Sequence, residues 1–183
     1  YSLVVTNNQG CSTTSGNTTV VVNALPTATI TPSGSTTICA GSSLTLTAPA
    51  GAAYVWSNGA STQSIAVTSA GSYTVTVNAN GCTATSTPTV VTVNALPTAT
   101  ITAAGSTTLC QGSSVVLTAS PATSYLWSTG ATSASITVAN AGNYSVALTT
   151  NGCSATSAVT TVNVTPLPTP SVSVIGATTF CQG

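Results

Sequence analysis

Apolar and polar residues alternate with a period of two along most of this chain. In residues 43–48, Leu44, Leu46 and Ala48 point one way while Ser43, Thr45 and Thr47 point the other. Successive side chains of an extended strand leave opposite faces of a sheet, so this alternation marks a strand with one buried face. By the same test Tyr54 and Trp56 share a face. So do Ile65 and Val67, then Tyr73, Val75 and Val77, then Val91 and Val93. A second set repeats the first: Val115/Leu117, Tyr125/Trp127, Ile136/Val138, Tyr144/Val146/Leu148 and Val162/Val164. These residues are the expected core. The opposite faces carry mostly Thr and Ser, which favour extended backbone and tolerate water. Turn signals separate the runs, at Cys39-Ala40-Gly41, Asn58-Gly59, Ala70-Gly71 and Asn80-Gly81. No segment has a helical period of useful length. The pattern predicts about seven short strands per unit, at the spacing of an antiparallel β-sandwich.

The two sets are part of a strict repeat. Cys11, Cys82 and Cys153 stand 71 residues apart, and so do Cys39, Cys110 and Cys181. "ALPTATIT" begins at Ala24 and again at Ala95, with "PLPTPSVS" from Pro166. "GSTTICAGSSLTLTA" (34–48) matches "GSTTLCQGSSVVLTA" (105–119), and "YVWSNGA" (54–60) matches "YLWSTGA" (125–131). Residues 24–94 and 95–165 are therefore read as whole repeats, residues 1–23 as the C-terminal part of a preceding one, and 166–183 as the N-terminal part of a following one. Such a period suits a compact β domain with its own core. "NALPT" (23–27 and 94–98) forms the linkers, stiffened by Pro26 and Pro97. Tyr1 already lies in a strand-like segment and Cys181-Gln182-Gly183 stops inside a repeat, so both ends are read as cuts through a longer protein.

"AGSYTVTV" (70–77) and "AGNYSVAL" (141–148) resemble the strand-entry motif of Ig-like and PKD-like sandwiches, in which a tyrosine, here Tyr73 or Tyr144, forms a corner. Trp56 and Trp127 stand where such domains keep a core tryptophan on the third strand. The whole unit resembles the Ig-like repeats of secreted Bacteroidota surface proteins, which are often large adhesins or filaments exported by the type IX system. The resemblance implies a tandem Ig-like fold, a cell-surface or extracellular location and a structural or adhesive role. It departs from antibody-type domains in its cysteines: Cys39 precedes the second strand and Cys82 follows the sixth, where antibody cysteines lie mid-strand.

Regularly spaced cysteines in an apparently secreted chain predict structural disulfides involving Cys39, Cys82, Cys110 and Cys153. Cys11 and Cys181 would find partners outside this sequence or in neighbouring units. Pairing within a repeat, Cys39 with Cys82 and Cys110 with Cys153, is the first expectation, because each whole repeat holds one cysteine of each series. In a strictly Ig-like topology, however, the two would lie at opposite ends of a strand spanning over ~20 Å, against a limit of about 7 Å between bridged Cα atoms. Cys39 would then meet Cys153 of the next repeat. Zinc is disfavoured, as there is no His and no CxxC spacing.

Composition narrows the chemistry. The chain contains no Lys, Arg, Asp, Glu or His, yet 42% of its residues are hydrophobic. Disordered chains combine low hydrophobicity with high charge, so this one can build cores. Thr and Ser interrupt every apolar run before it could span a membrane as a helix, and a membrane β-barrel would not repeat a Cys pair and a Trp at fixed spacing. General acid–base catalysis lacks its usual residues, and a Ser, Thr or Cys nucleophile would lack a base. Calcium sites need carboxylates and nucleic-acid binding needs Lys or Arg. No enzyme activity, cofactor, metal site, nucleic-acid partner or membrane insertion is expected. Trp56 and Trp127 could stack on sugars, but their strict alternation with core positions assigns them inward. Thr-x-Thr runs, as at Thr27/Thr29/Thr31, reflect strand propensity rather than an ice-binding face.

A surface without charge has no electrostatic barrier to lateral contact, and its edge strands lack the Lys that usually blocks edge pairing. The expected role is a self-associating extracellular filament or cell-surface stalk, whose partners are copies of itself. The alternatives are adhesin repeats that hold glycans or another surface, and a passive spacer for an enzyme elsewhere on the polypeptide.

Overall fold

The computed structural model describes residues 1–173, 175, 176, 178, 179, 181 and 182. Its regular structure is all β: twenty strands in seven sheets, with no helix among the described residues. The chain divides into two compact units, Tyr1–Val93 and Asn94–Gly183.

The first unit opens with a two-stranded hairpin, β1 (Val4–Thr6) and β2 (Ser12–Thr14), exposed throughout. Nine strands follow: β3 (Thr31–Pro32), β4 (Thr37–Cys39), β5 (Leu44–Thr47), β6 (Ala53–Trp56), β7 (Ser64–Val67), β8 (Gly71–Tyr73), β9 (Val75–Ala79), β10 (Cys82–Thr85) and β11 (Thr89–Asn94). They form three sheets of three strands, ordered β3-β5-β7, β10-β9-β6 and β4-β11-β8.

The alternating apolar residues meet across strands. Leu44 stands opposite Val67 and Leu46 opposite Ile65, while Trp56 stands opposite Val75 and Tyr54 opposite Val77. These residues converge on one core, with Leu46, Val75 and Val77 fully buried and Ala48 and Val91 nearly so. Cross-strand apolar pairs of this kind are what stabilise a sheet. Ala28, Ile30 and Ile38 pack against the core edge. They come from irregular chain or very short strands, where no run of alternation reveals them.

The second unit builds the same elements 71 residues on: β12 (Ile101–Ala103), β13 (Thr108–Cys110), β14 (Val115–Ala119), β15 (Ser124–Trp127), β16 (Ser135–Val138), β17 (Gly142–Tyr144), β18 (Val146–Thr150), β19 (Cys153–Thr156) and β20 (Thr160–Thr165). The sheets are β12-β14-β16, β15-β18-β19 and β13-β20-β17. Trp127 again faces Val146, and Leu117 faces Ile136. Strand β13 runs parallel to β20, pairing Leu109 with Val164 and Cys110 with Thr165. All other pairings with a described register are antiparallel.

Residues 24–94 and 95–165 thus carry nine strands each, rather than about seven. The expected single strand through Tyr73, Val75 and Val77 changes partners at Thr74. Its first part, β8, pairs with β11, and its second, β9, pairs with β6 and β10. Unbroken alternation continues through such a change, so sequence pattern alone reads one strand. Strands β3 and β4, separated by residues 33–36, likewise belong to different sheets, β3 beside β5 and β4 beside β11.

The glycine turns follow backbone chemistry. Gly41, Gly59 and Gly81 adopt positive φ, and so does Asn80 at 51°. Asn80-Gly81 joins β9 to β10 as a two-residue hairpin turn, the geometry that an Asn-Gly pair favours. Gly71 differs from expectation: it has no positive φ and sits inside β8. A Cβ there would lie 3.6 Å from the Tyr73 ring, in ordinary contact.

Candidate functional site

Two kinds of position were singled out by the sequence, the aromatic residues of the core and the cysteines. Trp56 and Trp127 are each 2% exposed. Each indole donates its Nε1–H to a backbone carbonyl, Trp56 to Thr62 and Trp127 to Ser133, both at 2.8 Å. A buried tryptophan with its one donor satisfied is a packing element, and neither ring is open to a ligand. Tyr73 is half-buried and Tyr144 buried. The Tyr73 hydroxyl donates to Ser69 O at 3.0 Å and that of Tyr144 to Asn140 O at 2.9 Å. Each bond reaches four residues back and ties the loop before the strand to the ring, as a tyrosine corner does.

The cysteines depart from the first expectation. Cys39 and Cys153 are each disulfide-bonded. Cys11, Cys82, Cys110 and Cys181 are free thiols. The within-repeat pairs Cys39–Cys82 and Cys110–Cys153 are therefore not formed. The physical reason is legible within each unit. In 95–165, Cys153 follows the β18–β19 turn, and its Sγ lies 4.0 Å from the carbonyl of Asn94 at the start of the repeat. Cys110 instead pairs with Thr165 at the end of the last strand, and Gln111 N–H donates to Thr165 O at 2.9 Å. One cysteine is at the entrance of the repeat and the other at its exit. The first unit has the same arrangement. The Cys82 thiol donates to Asn23 O at 3.8 Å. Strand β4, which ends at Cys39, lies beside β11, with Thr92 N–H bonded to Thr36 O at 2.9 Å.

Two further pairs of residues carry structure that alternation did not reveal. Ser86 and Ser157 are buried polar residues. Ser86 Oγ accepts from Val75 N–H at 3.1 Å, and Ser157 Oγ accepts from Val146 N–H at 3.1 Å. Asn23 and Asn94 donate from Nδ2 to Asn80 O and Asn151 O, each at 2.9 Å. They fasten the segment entering each repeat to its β-hairpin turn. The available signal was their exact recurrence in the repeat, which marks a position without stating its partner.

No group of three or more potential metal ligands occurs among the described residues. Thr150 Oγ1 is buried without a hydrogen-bond partner. A depression of about 540 Å³ lies in the second unit and is lined by Gln111, Gly112, Asn140, Ala141, Val164 and Pro166 among others, none of them charged. No described helix is long and apolar enough to cross a membrane, which is silent on β-barrels.

No family model matches the chain, and no curated protein matches it. Among solved structures, the crystal structure of a mouse coronavirus receptor-binding domain complexed with its murine receptor aligns at 12% identity, covering 76% of this chain and 100% of that one, with a TM-score of 0.42. A likeness of that size carries no argument about fold or role.

Proposed function

We propose that this chain is a stretch of tandem Ig-like β-sandwich repeats, each about 71 residues long, that builds an extracellular filament or cell-surface stalk by associating with copies of itself. The observation that carries the reading is a repeated, well-packed core beneath a surface with no ionisable Lys, Arg, Asp, Glu or His at all. Net charge keeps proteins apart, and its complete absence removes that repulsion. Apolar side chains on the outward strand faces add to this: Val55, Val90, Val116 and Leu126 are exposed. A disulfide fits an oxidising compartment. The chemistry excluded by composition leaves no enzymatic role for these repeats.

The adhesive alternative has less support, because Tyr1 is the only aromatic among the exposed large hydrophobic residues described. Sugar-binding surfaces rely on exposed aromatic faces. The test is negative-stain electron microscopy of the purified chain across concentration and salt. The reading expects ordered fibres or bundles that persist from low to high salt. Dispersed single chains under every condition would overturn it.

A further inference from the structure

We propose that the Asn80-Gly81 turn is a site of spontaneous covalent modification, at which the asparagine side chain closes on the glycine nitrogen, loses ammonia and reopens with water as a carboxylate. The first unit carries two Asn-Gly pairs, Asn58-Gly59 and Asn80-Gly81. Glycine is the following residue that obstructs such a ring least, because no Cβ stands beside its nitrogen. Both turns are open. A Cβ added to Gly59 or Gly81 would meet nothing within 4 Å, and both asparagines are exposed. Access therefore does not separate the two pairs.

Hydrogen bonding does separate them. At Asn58 both reacting groups are occupied. The Gly59 N–H, whose nitrogen would attack, donates to Trp56 O at 2.9 Å, and Trp56 is fixed in the core. Asn58 Oδ1, on the carbon to be attacked, accepts from Ala60 N–H at 3.2 Å. Ring closure there has to break the first bond and turn the amide out of the second. At Asn80 the ladder closes at the Ala79–Cys82 pair, so both turn residues lie beyond it. Among the described residues, no hydrogen bond holds the Asn80 side-chain amide or the Gly81 N–H. The peptide between them is held at its oxygen, where Asn80 O accepts from Asn23 Nδ2 at 2.9 Å. That contact leaves the nitrogen uncovered.

The chemistry needs only water. The Gly81 nitrogen bonds to Asn80 Cγ, the Cγ–Nδ2 bond breaks, and ammonia leaves with the proton that the glycine nitrogen gave up. Water then opens the five-membered imide. Cleavage at Cγ restores the normal backbone with an aspartate side chain. Cleavage at the backbone carbonyl reroutes the chain through Cβ and frees the α-carboxylate. Either product exchanges one amide for one acid, with no change of oxidation state. The chain has no Asp or Glu, so each event gives this hairpin its first carboxylate. The proposal is independent of the filament reading, since the turn reacts whether or not the chain assembles.

The experiment follows the full 183-residue chain in mildly alkaline buffer, folded in one series and unfolded by urea in another. Samples are digested with pepsin, because acid slows ring closure, and mass spectrometry locates the amide-to-acid exchange at positions 58 and 80. In urea the two positions are expected to react at the same rate, which shows that local sequence does not distinguish them. In the folded chain, position 80 is expected to react roughly tenfold faster than position 58, the factor that a hydrogen bond of ordinary net strength supplies. Equal rates in the folded chain, or a faster reaction at position 58, would overturn the proposal. So would a position 80 that stays intact in the folded chain while the unfolded chain is converted.

Discussion

The hairpin at residues 1–15 and the hairpins at 73–86 and 144–157 are built from one pattern in two environments. Counted from the tyrosine, Tyr1, Leu3 and Val5 correspond to Tyr73, Val75 and Val77 and to Tyr144, Val146 and Leu148. Even the serine clamp recurs: Leu3 N–H donates to Ser15 Oγ at 2.9 Å, as Val75 and Val146 donate to Ser86 and Ser157. Yet Leu3 is 65% exposed and Val146 0%. Alternation therefore states which face a strand offers for burial. Burial itself follows only where other sheets of the repeat lie over that face.

The turns differ as well. In the two whole repeats an Asn-Gly pair closes the hairpin directly, with Ala79 opposite Cys82 and Thr150 opposite Cys153. The first hairpin has one more residue. Asn7 Oδ1 accepts from both Gln9 and Cys11 N–H, at 3.0 and 2.9 Å, and Gly10 takes the positive φ. This is the three-residue turn with a left-handed glycine that commonly replaces the two-residue form.

The comparison can be broken most strongly at the core. Leu148→Ala should destabilise the second unit by about 2–5 kcal/mol, since the side chain is fully buried. Val5→Ala, at the matching exposed position, should stay within about 0.5 kcal/mol. Urea unfolding followed by Trp127 fluorescence, in a Trp56→Phe background, reads the first, and Trp56 fluorescence reads the second. Ser157→Ala should cost about 1–3 kcal/mol, because it strands the buried Val146 N–H. Ser15→Ala should cost a few tenths of a kcal/mol at most, since water replaces the lost acceptor. Equal losses at the two serines would show that burial does not set the value of this bond. At the turn, Asn151→Ala should cost about 1–2 kcal/mol, because Ala is strained at a φ of 51°. The smallest expected effect is that of pH. With no carboxylate or imidazole side chain, proton uptake hardly differs between folded and unfolded chain, and the urea midpoint should be level from about pH 3 to 8. A steep acid transition would contradict this.

Most of the core was legible because each β5-, β6-, β7- and β9-type strand is long enough to alternate at least once. Trp56, Leu46, Val75 and Val77 stand where alternation puts them. Ile38 and Leu109 were not legible, since strands of three residues show no period. The partner change at Thr74 was hidden because both halves of the strand bury the same parity. The cysteines were harder still. Counting one of each series per repeat suggests closure within it, and only strand direction reveals that the two lie at opposite ends.

The asparagine at the entrance of each repeat sets the route that a pulling force takes through it. Asn23 holds the carbonyl of Asn80, and Asn94 that of Asn151, 57 residues further along the chain in each case. Tension arriving along the backbone passes at that point to the β9–β10 or β18–β19 turn, and the residues between stay out of the load path until the bond gives way. A single hydrogen bond is worth about 0.5–1.5 kcal/mol, so it delays the first step of mechanical unfolding and does not prevent it.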